Sequence, residues 1–429
     1  MPNSALLLAA ISVAIWIFLF LARGIFWKLQ PFDDDKVNYA HPPTWPAVTA
    51  IIPARNEAET IAQAIASLTQ QNYPGTFSMV VVDDHSEDAT AKLAQESANK
   101  NSDASQLTVL SAPPLQPGWT GKLSALNAGV AYATREGTTS VVAQSESKRE
   151  ASATAVSVPD QPTYLWFTDA DIVHAPDTLT RLVARAEHQK LDLNSLMVLL
   201  RAQTLPEKFL IPPFLFFFLM LYPPARIANP KSETAGAAGG CILLRRDALD
   251  RIGGVFAIRS EVIDDCALAR AVKNSAASPA TSASTQNSAA HSASPKIWMG
   301  LTRKSRSLRA YTTFAEIRDM IARTAFTQLR YSALLLIGTV LGLAITYLAP
   351  IALLFAHNIP TRLLALSTWL LMSLLFLPTV RFYRISTHWA ATLPFAAAFY
   401  AVATFLSATR YWTNRGAQWK GRSQAPSKP

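Results

Sequence analysis

Charge is scarce in this 429-residue chain: 16% of positions are charged, against 50% hydrophobic. That balance leans toward a membrane protein. Cysteine is scarcer still. The two present, Cys241 and Cys266, have no metal-ligand spacing, and in a cytoplasmic domain they are expected to be reduced and structural. Internal repeats are absent. The formal charge of +10 comes without a basic patch interleaved with stacking aromatics, so no nucleic-acid partner is expected. Beside apolar segments the same basic residues hold the cytoplasmic side against anionic lipid.

What is abundant is apolar and unevenly placed. Leu6 to Phe26 is long enough to span a bilayer. It lacks a basic start and a small-residue cleavage site, which points to a retained anchor over residues 5–27. Ser332–Ala356, Leu363–Val380 and Ala390–Ala408 are three further candidate spans within 332–409, the middle one interrupted by Pro378. Arg23, Lys28 and Lys36 follow the first span, and Arg303, Lys304, Arg306, Arg309, Arg318, Arg323 and Arg330 precede the second. The positive-inside rule then places the intervening domain, residues 45–331, on the cytoplasmic side of a bacterial-type inner membrane, with the N-terminus outside. Three C-terminal spans would leave the basic tail 410–429 outside, against that rule; either one segment lies in the interface or the tail breaks the rule. Phe209 to Tyr222, broken by Pro212 and Pro213, is short for a span. It reads as a core helix or an interfacial segment that brings a site down to lipid.

Between the spans, apolar strands alternate with amphipathic helices. Val48–Pro53, Met79–Val82, Leu107–Leu110 and Tyr164–Phe167 read as strands; Glu57–Gln70, Ala89–Ala98, Leu123–Ala133 and Pro176–Gln189 read as helices. This order predicts an α/β fold with a mostly parallel sheet. Arg135–Pro162 and Asn274–Pro295, rich in Ser, Ala and Thr, are expected to be disordered insertions.

Two strands run straight into carboxylates. Tyr164–Thr168 ends at Asp169-Ala170-Asp171, and Met79–Val82 ends at Asp83-Asp84. Strand ends deliver side chains to the rim where open α/β sheets bind ligands. Two aspartates one residue apart there can hold a divalent cation against a diphosphate.

Ile51-Ile52-Pro53-Ala54-Arg55-Asn56-Glu57, Val82-Asp83-Asp84-His85-Ser86, Gly121-Lys122-Leu123-Ser124 and Thr168-Asp169-Ala170-Asp171, in this order, resemble the motifs of family 2 glycosyltransferases of the A-type nucleotide-sugar fold. The phrase Pro117-Gly118-Trp119-Thr120-Gly121-Lys122, with the flanking spans, further resembles the hopanoid-biosynthesis-associated, hopene-associated B-type branch. The resemblance implies a transfer of one sugar from a nucleoside-diphosphate sugar, uridine-linked, to a lipid acceptor. It implies that Pro53, Arg55 and Glu57 meet the nucleoside, although Asn56-Glu57 suits a helix cap equally well. Asp84 would accept from the base, Lys122 would lie near the diphosphate, Asp169 would sit beside ribose and metal, and Asp171 would ligate Mg²⁺ or Mn²⁺. Asp264-Asp265 resembles the family's acidic pair ahead of a helix, with Asp265 as the base that deprotonates the acceptor; an Asp replaces the usual Glu at 264. Gly239 and Gly240 match the small-residue loop near the acceptor. Polymerising members carry Gln-x-x-Arg-Trp; here Thr327-Gln328-Leu329-Arg330-Tyr331 lacks that Gln and Trp, which favours one transfer over chain growth. Arg330, or Arg323 two turns earlier, would then meet the diphosphate, or simply flank the membrane. A processive polysaccharide exporter and a non-catalytic nucleotide-binding scaffold are the rival readings.

Overall fold

The computed structural model describes residues 2–33, 39–100, 107–135, 161–275, 295–413, 418–419 and 422–423. Both expected insertions fall almost wholly outside these residues, as does most of the basic tail.

Eight strands form one sheet: β1 (Val48–Ala54), β2 (Phe77–Asp83), β3 (Leu107–Ser111), β4 (Tyr164–Thr168), β5 (Ile172–His174), β6 (Leu193–Leu199), β7 (Cys241–Arg245) and β8 (Ile297–Ser307), in the order β3-β2-β1-β4-β7-β6-β8-β5. β1 is buried at all seven positions, as expected of a central strand covered on both faces. The parallel pairing predicted from strand–helix alternation holds across β3, β2, β1 and β4. Beyond β4 the sheet is mixed, because β7 enters antiparallel to both β4 and β6.

Register sets the site. Ala54 pairs with Asp83, and Ile51 with Phe167, so β1, β2 and β4 end along one edge. Thr168 pairs with Cys241, which brings the loop before β7 to that edge. Ile172 pairs with Ser307, and the Leu308 amide donates to the Asp171 carbonyl at 2.8 Å, fastening the end of β8 beside Asp171.

Among the described residues five helices are long and apolar enough to cross a membrane: Ser4–Ala22, Leu205–Ile227, Ala333–Leu353, Ile359–Phe382 and Thr387–Trp412. Ile359–Phe382 runs unbroken through Pro378. The second of the five is an internal element. Its apolar window is 61% buried, against 22% for Ser4–Ala22. Its helical core, Leu205–Leu221, opens on a capping box between Thr204 and Glu207 and contains Pro212 and Pro213 without a break. Phe216 packs against Trp16 of the first helix and Phe376 of Ile359–Phe382.

The last helix, Leu393–Trp412, runs beside the amphipathic helix Phe314–Gln328. Phe399 meets Phe314 at 6.2 Å, and the Ser407 hydroxyl accepts from the Phe326 amide at 3.0 Å. Tyr411 stacks on Tyr331 at 4.4 Å, and Arg410 pairs with Asp319 at 2.6 Å. Phe314–Gln328 in turn touches the proline-containing helix at both ends: Phe314 meets Phe209 at 6.2 Å, and the Tyr222 hydroxyl donates to Gln328 at 2.9 Å.

Candidate active site

The turn after β1 is built by side chains that tie two loops together. The Asn56 amide nitrogen of the backbone donates to Ser86 Oγ at 3.0 Å, and Asn56 Oδ1 accepts from the Glu87 amide at 2.9 Å. Asn56 adopts a left-handed conformation, φ 51°, which asparagine tolerates better than most residues. Arg55 is buried and donates to the carbonyls of Asp84 at 2.5 Å and His85 at 2.8 Å. Its guanidinium therefore braces the 84–87 turn. The Asp84 amide donates back to the Ala54 carbonyl at 2.8 Å.

The sheet edge opens into a cavity of about 350 Å³ lined by Pro53, Glu57, Lys122, Asp169, Asp171, Gly239, Gly240, Asp264 and Asp265, among others. Nine of the residues singled out from the sequence thus share one space. Asp84, Arg55 and Arg330 are not among its lining residues. Asp84 is buried just past the end of β2, one strand further out. Arg330 sits in the turn after Phe314–Gln328 at φ 52°, while Arg323, two turns earlier, lines the cavity.

Acids and bases alternate across this space. Lys122 Nζ lies 3.0 Å from Asp169 Oδ1 and 3.1 Å from Asp264 Oδ2. Burial opposes the Lys122 charge, but Asp169 and Asp264 outweigh it and hold the ammonium above its ordinary value. Arg309 reaches Glu57 Oε1 at 2.6 Å and Asp171 Oδ2 at 3.3 Å, and Ser307 Oγ donates to the same Asp171 oxygen at 2.9 Å. Burial likewise opposes the Arg309 charge, and Glu57 and Asp171 overcome it. Asp169 is pushed up by burial, against the pull of Lys122.

Asp265 opens the helix Asp264–Asn274. Its Oδ2 accepts from the Gly239 amide at 2.9 Å and its Oδ1 from the Cys266 amide at 2.7 Å. Burial first, then the neighbouring Asp264 carboxylate, push it up to about 6. A carboxylate at that value is mostly ionised at neutral pH yet more basic than an ordinary one, the range in which a general base works best. The fit around it is close: a Cβ on Gly239 would stand 3.3 Å from Asp265 Oδ2 and 3.6 Å from Lys122 Nζ.

Ser307 and Arg309 were not legible as site residues. They arrive at and just past the end of β8, whose later half, Arg303-Lys304-Ser305-Arg306-Ser307, has no apolar run to mark a strand. His174 was missed as well. It is buried, with Nε2 2.8 Å from Thr168 Oγ1 and Nδ1 2.8 Å from Ser305 Oγ, and so ties the strand before Asp169 to the strand that carries Ser307. Burial lowers it to about 3, which keeps the ring neutral.

Among the described residues no group of three or more His, Cys, Asp or Glu could hold a metal ion by itself. Asp169 and Asp171 are nevertheless hard oxygen donors facing one cavity. One or two carboxylates with the remaining positions filled by phosphate and water is how Mg²⁺ is commonly bound. The residues fit a cation that brings most of its ligands with the substrate.

An α/β sheet with paired aspartates at its edge, a lysine between them and a second acidic pair, and membrane helices below, defines a glycosyltransferase of the A-type fold. The glycosyl transferase family 21 model matches residues 160–425 and the glycosyl transferase family 2 model residues 49–253. The chain belongs to glycosyl transferase family 21, and its N-terminal half carries a family 2 glycosyltransferase domain. Among solved structures it is similar to the mannosyltransferase PcManGT from Pyrobaculum calidifontis in complex with GDP-Man and Mn²⁺, at 17% identity and TM-score 0.56, over 97% of this chain and 100% of that one. It also matches glucosyl-3-phosphoglycerate synthase from Mycobacterium tuberculosis, at 15% identity and TM-score 0.36, over 66% of this chain and 79% of that one. A third match is S. aureus TarS 1–349 in complex with UDP-GlcNAc, at 14% identity and TM-score 0.36, over 86% of this chain and 92% of that one. No curated protein matches the chain.

Proposed function

We propose that this glycosyltransferase moves one sugar, with inversion, from a nucleoside-diphosphate sugar to a lipid hydroxyl at the cytoplasmic face of a membrane. The observation that carries the reading is the shared cavity: Asp265, raised to about 6, faces the same space as Asp169 and Asp171, with Lys122 between the two acidic groups. Asp265 takes the proton of the acceptor hydroxyl. The acceptor oxygen then bonds to the anomeric carbon, and the bond from that carbon to the diphosphate oxygen breaks, its electron pair leaving with the nucleoside diphosphate. One base and no separate nucleophile give a single displacement.

Lys122 and Arg309 supply positive charge where the departing diphosphate gains negative charge, and a fixed, water-poor site makes such stabilisation strong. Asp171, with Asp169, would hold Mg²⁺ or Mn²⁺, which when bound neutralises the leaving group. Pro53 and Glu57 line the donor end, and Arg55 keeps the Asp84 turn in shape beside it. Phe214, Phe218 and Met320, from the helices Leu205–Leu221 and Phe314–Gln328, give the cavity an apolar end. That end suits a lipid acceptor. The resemblance at Pro117–Lys122 makes a hopanoid hydroxyl the first to try, with uridine-linked donors first among sugars.

Leu393–Trp412 stays beside Phe314–Gln328, which borders the proline-containing helix Leu205–Leu221 at both ends. These contacts support reading Leu393–Trp412 as a helix that lies along the interface instead of crossing the bilayer. The remaining spans, Ser4–Ala22, Ala333–Leu353 and Ile359–Phe382, then leave the basic C-terminus on the catalytic side, in accord with the positive-inside rule.

The experiment is transfer by the purified full-length protein, given a panel of nucleotide sugars and native lipid extract, with lipid products identified by mass. Asp265→Asn and Asp171→Ala should each abolish product. Full transfer by either variant overturns the assignment of that residue.

A further inference from the structure

Each aspartate of the Asp169-Ala170-Asp171 pair is already held by a cation of the chain itself. Lys122 takes Asp169; Arg309 takes Asp171 and reaches across the cavity to Glu57. The Asp171 oxygen that meets Arg309 Nε at 3.3 Å also accepts from Ser307 at 2.9 Å, so this oxygen is doubly occupied. A divalent ion arriving alone meets a guanidinium on the carboxylate it would use, and like charges at that range repel. It also finds no third acidic or histidine ligand among the described residues.

The backbone under Arg309 is fixed while its side chain is not enclosed. Ser307 pairs with Ile172, and Leu308 donates to Asp171. The Arg309 side chain is 32% exposed, against 11% for Glu57 and 12% for Asp171. A planar guanidinium fork matches phosphate as well as carboxylate. A diphosphate in this cavity therefore offers Arg309 a partner to which the fork can turn without moving the strand.

We infer that Arg309 is a built-in counter-ion that keeps Asp171 closed to divalent cations until a nucleoside diphosphate arrives, and then turns to the phosphates. This rests on the donor reading proposed above. Metal and nucleotide binding are then coupled through one side chain, and the coupling is reciprocal.

The test is Mn²⁺ binding to the full-length protein in detergent, followed by the electron paramagnetic resonance of free Mn²⁺, with and without saturating UDP or GDP. In the unmodified protein, nucleotide should tighten Mn²⁺ by about tenfold or more, within the usual range of such couplings. Arg309→Gln should bind Mn²⁺ alone about tenfold tighter, and the nucleotide effect should shrink to about threefold or less. Arg309→Lys keeps the charge without a fork to span Glu57 and Asp171, so its Mn²⁺ affinity without nucleotide should fall between the two; it carries the test if the Gln variant does not fold. Equal Mn²⁺ affinity in all three proteins, with nucleotide still tightening it in each, overturns the role of Arg309 and leaves the donor site standing. Failure of both nucleotides to bind any of the proteins removes the donor reading, and this inference with it.

Discussion

The base can be tested by moving its charge environment in two opposite directions. Asp265 stands at about 6 because burial and the Asp264 carboxylate outweigh Lys122 and two backbone amides. A base is active as the carboxylate, so kcat/KM should be flat above pH 7 and fall about tenfold per pH unit below 6. Asp264→Asn removes the like charge and should move the acid limb down. Lys122→Gln removes the opposing cation and should move it up. A neighbouring charge shifts a carboxylate by one to three pH units at close range, so displacements of about one unit each way are expected. Lys122→Gln also weakens donor binding, but the position of the limb, and not its height, is what is read.

The assay is initial-rate transfer at low donor concentration between pH 4.5 and 8.5, with Asp265→Asn as the reference lacking a base. That reference should lose about 10²- to 10⁴-fold. A limb that stays at one pH in both variants, or that lies near 4 in the unmodified protein, would refute the view that a buried, Asp264-paired Asp265 removes the proton.

Three further outcomes are expected. Gly239→Ala places a methyl 3.3 Å from Asp265 Oδ2; transfer should drop about tenfold to a hundredfold while the melting temperature changes little, and unaltered transfer would show that the loop has room to spare. A single cysteine introduced after Trp412 in a cysteine-free background should be shielded from a membrane-impermeant thiol reagent in intact cells and labelled in inverted vesicles; labelling in intact cells would make Leu393–Trp412 a true span. His174→Leu strands Thr168 and Ser305 and should lower stability by about 1–3 kcal/mol, read in a thermal melt, whereas a shift in the pH profile would mean that the ring titrates.

The β3-β2-β1-β4 half of the sheet was legible because its strands are continuous apolar runs ending in turn residues. The β7-β6-β8-β5 half was not. β7 is five residues long and follows a glycine pair, and β5 is three residues long. β8 is apolar from Ile297 to Leu301 and then basic, and its second half pairs with the short edge strand β5 and meets β6 at Arg306 past a register shift. The same basic stretch satisfies the membrane charge rule, so nothing in the sequence separates Arg309, which faces the cavity, from Arg303, whose Nε donates to the Phe382 carbonyl at 3.0 Å. Arg55 shows the complementary limit. A motif fixes its place in the chain but not the direction of its guanidinium, which turns to carbonyls because a buried cation must find acceptors.

A cut between residues 331 and 332 divides the sequence by composition, yet the packing does not divide there. One apolar core contains Phe167 and Leu244 of the sheet, Leu210 and Phe216 of the proline-containing helix, Trp16 of the first helix, Phe376 of Ile359–Phe382 and Tyr400 of the last helix. The Tyr400 hydroxyl donates to the Leu210 carbonyl at 2.9 Å, and Tyr347 meets both Trp16 and Phe217. Leu205–Leu221 is thus a shared wall: one face supplies Phe214 and Phe218 to the cavity, another is buried against the membrane helices. Removing those helices would expose the buried face and free the wall that shapes the apolar end of the site. The apolar end of this cavity therefore depends on both halves of the chain, held on one side by strand ends and on the other by helices long and apolar enough to cross a membrane.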